Sequence, residues 1–297
     1  MKVLMVTGDK RFGQGHPRYD LQASAVEKLV VLYVGRGALW PAVPQEHFDV
    51  VTAQDPFWRG LFAWYAARRG GARLNIQVHT DLSAAPFFRH ILAQMVLRHA
   101  DSVRVVSEKL QKQVQTMGVK APTHVLPIYV DLSPFKTLIR LPHEQKTILW
   151  FGRFEPEKDP LFALSALKEI READIDAKLI MLGSGSLESV LRIHARELPI
   201  KFPGWQDPKQ YLATADVVLS TSRHESWGAS IVEALAAGVP VVSLDVGVAR
   251  EAGAIVVPRS ELARAVIEVL KNGTRGELKL SLPGKEEWAK RWRETLI

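Results

Sequence analysis

Residues 216–243 read DVVLSTSRHESWGASIVEALAAGVPVVS, and the fold depends on how this stretch divides. DVVLSTS is a short apolar, β-branched run, as suits a parallel strand buried on both faces. The spacing that follows predicts a helix from about Ala229 to Ala237, stopped by Gly238 and Pro240. PVVSLD then starts a second strand. Strand, loop, helix and strand in so short a stretch is a β-α-β unit with parallel strands.

The same pattern extends in both directions. The second half offers KTILWFGR, AKLIMLGSG, IKFPGW and AIVVP, and the first half KVLMVTG, KLVVLYVG, FDVVTAQD, RLNIQVHTD, SVRVVSE and THVLPIYVD. The strands alternate with helical segments such as LFALSALKEIREA and ELARAVIEVLKNG. About six units per half predicts an α/β protein of two doubly wound, Rossmann-like domains rather than one barrel. The proline-containing stretch DLSPFKTLIRLPHEQ, residues 131–145, is the expected linker. The expected domains are therefore 1–138, 139–283, and a closing helix in 284–297 that follows Pro283-Gly284 and packs back toward the first domain. Polar and glycine residues collect where strands end, the edge at which open α/β sheets bind ligands. Two such edges facing each other would form a cleft.

Composition narrows the function. The 297 residues are 47% hydrophobic and 24% charged, which excludes a disordered chain, and zero cysteines exclude a disulfide framework and a thiolate metal site. The opening KVLMV is too short for a signal peptide or a membrane span, so a cytoplasmic location is expected. Residues 1–145 hold 18 Lys and Arg against 11 Asp and Glu, whereas residues 146–297 hold 21 of each. The whole +7 excess thus belongs to the first half, which fits either attraction to an anionic surface or substrate or solubility alone. No stacked aromatic and basic module points to nucleic acid.

Three motifs carry chemistry. In FGRFEPEKDP, Gly152 ends a strand, and Arg153 and Lys158 follow at a spacing that suits a diphosphate. Gly183 and Gly185 occupy the next strand end, in LGSGSLES. In HESWGASIVEA, Gly228 permits a tight turn, and the amides of Ala229 to Ile231 open the helix, a natural place for phosphate. Glu233 leans back toward that same end and fits vicinal hydroxyls such as those of a ribose. Glu225, in the loop, faces whatever lies beyond the phosphates.

This order, GR-x4-K, then GSGS, then E-x7-E before a helix closing in AAGVPVV, resembles the family-4 retaining glycosyltransferases of the two-domain GT-B fold. ADSVRVVSEKLQKQVQTMGV, IYVDLSPF and IKFPGWQDPKQYLATADVVLSTS extend the resemblance along nearly the whole chain. It implies transfer of a sugar from a nucleoside diphosphate to an acceptor hydroxyl on a glycan, glycolipid or cell-envelope precursor, with retention and without metal or other cofactor. Arg153 and Lys158 would stabilise the leaving diphosphate, Glu225 would bind the sugar, and Glu233 the ribose. Backbone groups around Gly228 to Ser230, Ala229 included, would touch sugar and phosphate, and Trp227 is a further donor-binding candidate. His79 matches a first-domain histidine placed near the donor sugar, and Asp81 is an acceptor-side candidate.

The chain also departs from the family. The usual Gly-Gly loop after the first strand is replaced by GDKRFGQGHPRYD, which leaves Gly13 or Gly15 to approach the phosphates, and the first domain is short. Asp174-Ile-Asp176 is a D-x-D, but it precedes a strand, at the end away from the ligand edge, so no metal role is expected. FWRGLFAWYAARRGG, residues 57–71, places Trp58, Leu61, Phe62 and Tyr65 at helical spacing. It reads as core, with a membrane-surface helix as the alternative. PFFRHILAQMVLRHA is similar, and peripheral contact with an anionic membrane is an expected partnership. A nucleotide-sugar hydrolase or epimerase, and a non-catalytic nucleotide-sugar-binding protein, are the competing functions.

Overall fold

The computed structural model describes residues 1–35 and 42–297. They form two compact units, residues 1–129 with 282–297, and residues 130–281.

The first unit contains strands β1 (Lys2–Thr7), β2 (Lys28–Tyr33), β3 (Val50–Ala53), β4 (Arg73–Val78), β5 (Ser102–Val105) and β6 (Thr123–Val125). Its helices are α1 (Pro17–Ala23), α2 (Trp58–Gly70), α3 (Phe87–Arg98) and α4 (Glu108–Thr116). The sheet is parallel throughout, in the order β2-β1-β3-β4-β5-β6. Strand order reverses beside β1, so the loops after β1 and β3 adjoin, and Thr7 Oγ1 donates to Gln54 Oε1 at 2.6 Å.

The second unit begins with α5 (Ser133–Lys136) and adds β7 (Lys146–Phe151), α6 (Pro160–Glu172), β8 (Ala177–Leu182), α7 (Glu188–His194) and β9 (Ile200–Gly204). It continues through α8 (Lys209–Leu212), β10 (Val217–Ser220), α9 (Ala229–Ala236), β11 (Val241–Ser243), α10 (Ala249–Ala252), β12 (Ile255–Val256) and α11 (Leu262–Asn272). Its parallel sheet runs β12-β11-β10-β7-β8-β9, the doubly wound order whose reversal lies between β7 and β10. Ala163, Leu164 and Leu167 of α6 and Leu262, Val266 and Val269 of α11 join Ile148, Leu179 and Leu219 in the buried core. Every strand of the opening quotation is where its pattern puts it, and α9 ends at Ala236, with Gly238 at φ 73° just beyond.

Residues 130–138 fall in the second unit rather than the first. The reason is local: α5 packs on α9, and the chain beyond it is held by Arg140, whose guanidinium donates to the carbonyls of Leu212 and Ala215. The closing helix α12 (Lys285–Glu294) belongs to the first unit. Trp288 and Trp292, one turn apart, are buried with Val3, Met5, Leu21 and Leu126. Trp288 Nε1 donates to the Pro127 carbonyl at 2.8 Å, and Asn75 Nδ2 donates to the Thr295 carbonyl at 2.8 Å. In α2, Phe62 is core, but Trp58 and Tyr65 are exposed, so the stripe read as core is only partly so.

Candidate functional site

The reversal between β7 and β10 puts two loops side by side at the carboxyl edge of the second sheet: residues 152–159 and residues 221–228. Lys158 ends a single 3-10 turn in the first loop, and Glu225 lies in the second. Lys158 Nζ donates to Glu225 Oε1 at 2.5 Å, and Ser222 Oγ donates to the same oxygen at 2.9 Å. Both members of the pair are largely shielded from solvent. Lys158 is held by its backbone as well. Trp150 Nε1, in β7, donates to Thr221 Oγ1, which donates to the Lys158 carbonyl at 2.9 Å.

Asp159 completes the clamp, and the sequence offered little sign of it. It is buried, with a left-handed backbone (φ 47°, ψ 52°) that a residue with a side chain adopts at some strain. Arg223 Nε and Arg259 Nη1 both donate to its Oδ2, at 2.8 and 2.6 Å. The Arg223 amide donates to the Glu157 carbonyl at 2.9 Å, so the two loops are joined by backbone too. Arg259 also lies over the Phe162 ring of α6, 3.5 Å from its centroid.

Arg153, in the same loop as Lys158, is exposed, and its guanidinium pairs with Glu157 at 2.8 Å rather than with Glu225. Gly152, Gly183 and Gly185 serve the backbone here. A Cβ on Gly183, whose φ is 145°, would come within 1.8 Å of the Gly152 carbonyl oxygen, and one on Gly185 within 2.6 Å of the Phe154 carbonyl oxygen. Their smallness lets the loops after β7 and β8 touch. Glu155, another residue not expected from sequence, ties these loops by accepting from the amide and hydroxyl of Ser186.

Helix α9 starts at Gly228, whose backbone is left-handed (φ 99°). The Ala229 and Ser230 amides have no backbone acceptor among the described residues, leaving two donors at the helix's positive end. The Ile231 amide, expected to be free with them, instead donates to the Gly228 carbonyl at 3.1 Å, because the first turn is tight. Trp227, just before Gly228, is buried, and its carbonyl accepts from the Val248 amide at 2.9 Å. Glu233 is half-buried one turn into α9. Burial, reinforced by the Asp207 carboxylate, pushes its pKa up to about 7.

In the first unit, His79 follows β4 at the carboxyl edge, and its Nε2 is buried without a hydrogen-bond partner among the described residues. Burial, with the positive charges of Arg104 and Arg18, lowers its pKa to about 3. The ring is therefore neutral at ordinary pH. Asp81 is also buried, where it accepts from the amide and hydroxyl of Ser83 and from Gln113. Burial alone would raise its pKa, but these hydrogen bonds hold it below the usual carboxylate range. Gly13 and Gly15 lie in the loop after β1, where a Cβ on either would meet open space; Gly15 has φ 86°, and its amide donates to Asp20. The close approach in this loop is at Gly8, where the Arg59 guanidinium would lie 2.0 Å from a Cβ.

Asp176 accepts from Arg171 and Gln145 at the start of β8, away from the ligand edge. Among the described residues, no three His, Asp or Glu side chains are gathered as a metal ion would need.

Two doubly wound units with a cation, carboxylates and helix amides at a switch point define a GT-B architecture. Residues 145–272 match the family described as "Glycosyl transferases group 1", and residues 9–134 match "Glycosyltransferase Family 4". The chain belongs to the family-4 glycosyltransferases of the GT-B fold. It is 29% identical over 255 residues to the putative teichuronic acid biosynthesis glycosyltransferase TuaC of Bacillus subtilis, covering 82% of this chain and 61% of that protein. It is 30% identical over 245 residues to the phosphatidyl-myo-inositol mannosyltransferase of Mycobacterium leprae, covering 76% and 65%. Across these and a mannosyltransferase of Mycobacterium tuberculosis, the chain spans 35% to 65% of the relatives' length. In fold it is similar to the lipopolysaccharide outer core galactosyltransferase WaaB (TM-score 0.73, 17% identity, 99% of each chain covered). Anabaena HepE, solved with UDP and glucose, is similar too (TM-score 0.74, 17% identity, 98% of this chain and 93% of that one).

Proposed function

We propose that this chain is a retaining glycosyltransferase that moves a sugar from a nucleoside diphosphate to a hydroxyl of a glycan, glycolipid or cell-envelope precursor. The observation that carries the reading is the convergence of Lys158, Glu225 and the start of α9 on the β7–β10 switch point. A cation and two helix amides suit a diphosphate. The Glu233 carboxyl, one turn further, suits the ribose hydroxyls. Glu225 then accepts from a hydroxyl of the transferred sugar. The named activities of TuaC and the phosphatidyl-myo-inositol mannosyltransferase agree with a cell-envelope acceptor.

In this reading the bond from the anomeric carbon to the diphosphate oxygen breaks, and the acceptor oxygen bonds that carbon on the same face. The acceptor proton passes to the departing diphosphate oxygen, so no protein nucleophile is required. Charge growing on that oxygen is met by Lys158, Arg153 and the positive end of α9, in place of a metal ion.

The test is product analysis with UDP-, GDP-, ADP- and dTDP-sugars, each with and without lipid-linked and soluble acceptors. Glycosylated acceptor with retained anomeric configuration is expected. Release of free sugar alone, unaffected by any acceptor, would replace this reading with hydrolysis.

A further inference from the structure

A hollow lined by cations lies at the amino edge of the second unit's sheet, the edge away from Lys158 and Glu225. Lys136 ends α5, Lys146 begins β7, and Arg275 is in the loop after α11; with Arg140 they line a space of about 490 Å³. Leu138, Ala236, Pro240, Val269 and Leu270 give it apolar walls. That size and lining suit a small organic molecule.

The positive charge is not balanced within the hollow. Asp216 is the one acidic residue lining it, and its carboxylate is already engaged. Its Oδ2 accepts from the Thr147 amide at 2.8 Å and lies 2.9 Å from His143 Nε2, and Lys146 Nζ is 3.9 Å from its Oδ1. Lys136 and Arg275 make no ion pair among the described residues. Arg140 is fixed in place by its bonds to the Leu212 and Ala215 carbonyls. Burial lowers its pKa, Asp216 opposes that effect, and the charge of Arg275 adds to it, so the two guanidiniums repel across the hollow. The loop carrying Arg275 is held as well. The Gly276 amide donates to the Gly238 carbonyl at 3.1 Å, and a Cβ on Gly276 would lie 2.2 Å from the Val239 carbonyl oxygen.

Charge also identifies the occupant. The carboxyl ends of α9 and α11 reach this hollow, and each supplies about half a negative charge. With Asp216 they offset roughly two of the four cations, which leaves about two positive charges. A phosphate monoester carries about that much negative charge at neutral pH.

We propose that this hollow binds an organic phosphate monoester, with Lys136, Arg140, Lys146 and Arg275 around the phosphate and the apolar walls against its organic part. The site is separate from the donor edge, since β7, about 20 Å long, runs from one to the other.

The test is acetylation of the full chain, read lysine by lysine by mass spectrometry, with phenyl phosphate, with inorganic phosphate or with neither, at constant ionic strength. Phenyl phosphate should protect Lys136 and Lys146, and at lower concentration than inorganic phosphate, because the apolar walls add to the charge. Lys168, exposed on α6 and outside the hollow, should react at an unchanged rate. Arg275→Ala should weaken the protection about tenfold or more. Its side chain is exposed, so the thermal midpoint should stay at the wild-type value. Protection of Lys158 alone would assign the phosphate to the donor loops and overturn the proposal. Equal slowing at Lys168, protection that survives Arg275→Ala, or no protection of Lys136 and Lys146 would overturn it too. Acetylation needs neither donor nor turnover, so this result is independent of the transferase reading.

Discussion

Lys158 Nζ and Glu225 Oε1 stand 2.5 Å apart, joining the loop after β7 to the loop after β10. Each is proposed to meet a different part of one donor, the lysine its diphosphate and the glutamate its sugar. Their pairing sets both at one depth before any donor arrives. Lys158→Ala should lower kcat/KM by about 2–4 kcal/mol of transition-state stabilisation, roughly a hundredfold to a thousandfold. Steady-state kinetics on the identified donor checks it, with circular dichroism confirming the fold.

Arg153 should behave as a second charge of that kind. Arg153→Ala is expected to cost about 2–4 kcal/mol in turnover. Because the side chain is exposed and its partner Glu157 is too, stability should change by less than about 0.5 kcal/mol. Paired kinetics and urea denaturation separate the two effects.

Asp159 tests whether the lysine's loop is built or merely present. Asp159→Ala leaves Arg223 and Arg259 without their shared carboxylate and keeps a side chain at positive φ. Both arginines are substantially exposed, so screening limits the expected loss to about 1–2 kcal/mol. Asp159→Gly should be about 1 kcal/mol more stable than Asp159→Ala, since glycine adopts that backbone freely. Urea midpoints at constant slope measure the difference.

Two buried groups make stability depend on pH in opposite directions. Folded Glu233 holds its proton up to about pH 7, whereas its ordinary value is 4.5. Between these values the folded chain binds more protons than the unfolded one, so this group makes stability fall as pH rises through the window. Glu233→Gln should match the wild type near pH 4.5 and exceed it by on the order of 2 kcal/mol above pH 8, while weakening donor binding. His79 acts the other way. The unfolded ring takes a proton near 6.5 and the folded one only at about 3, so stability falls as pH drops through that range. His79→Gln should flatten this acid limb. Thermal unfolding across pH 4–9 follows both.

The strands and helix ends were legible because apolar runs, Gly238 and Pro240 act locally. The placing of Lys158 beside Glu225 was legible only as an expectation, since it follows from strand order, which no single segment encodes. Asp159 and Glu155 were not, because their partners lie far along the chain: Arg223, Arg259 and Ser186 become neighbours only when the sheet forms. The Ile231 amide is a local case: the tight first turn of α9 takes it up. A turn read from sequence shows which groups could be free, but not which the packing will take. Residues 130–138 join the second unit because Leu132 and Phe135 are buried and α5 packs on α9, contacts that the proline-bearing pattern of the expected linker does not encode.

The central claim is that one nucleoside diphosphate sugar binds at the switch point through Lys158, the start of α9 and Glu233. Its most direct measurement is a thermal-shift titration of wild type and Lys158→Ala with UDP-, GDP-, ADP- and dTDP-sugars. One nucleotide class should raise the wild-type midpoint in proportion to the logarithm of its concentration, and Lys158→Ala should lose most of that rise. If no donor stabilises the wild type, or if the variant responds equally to the one that does, the assigned site is wrong.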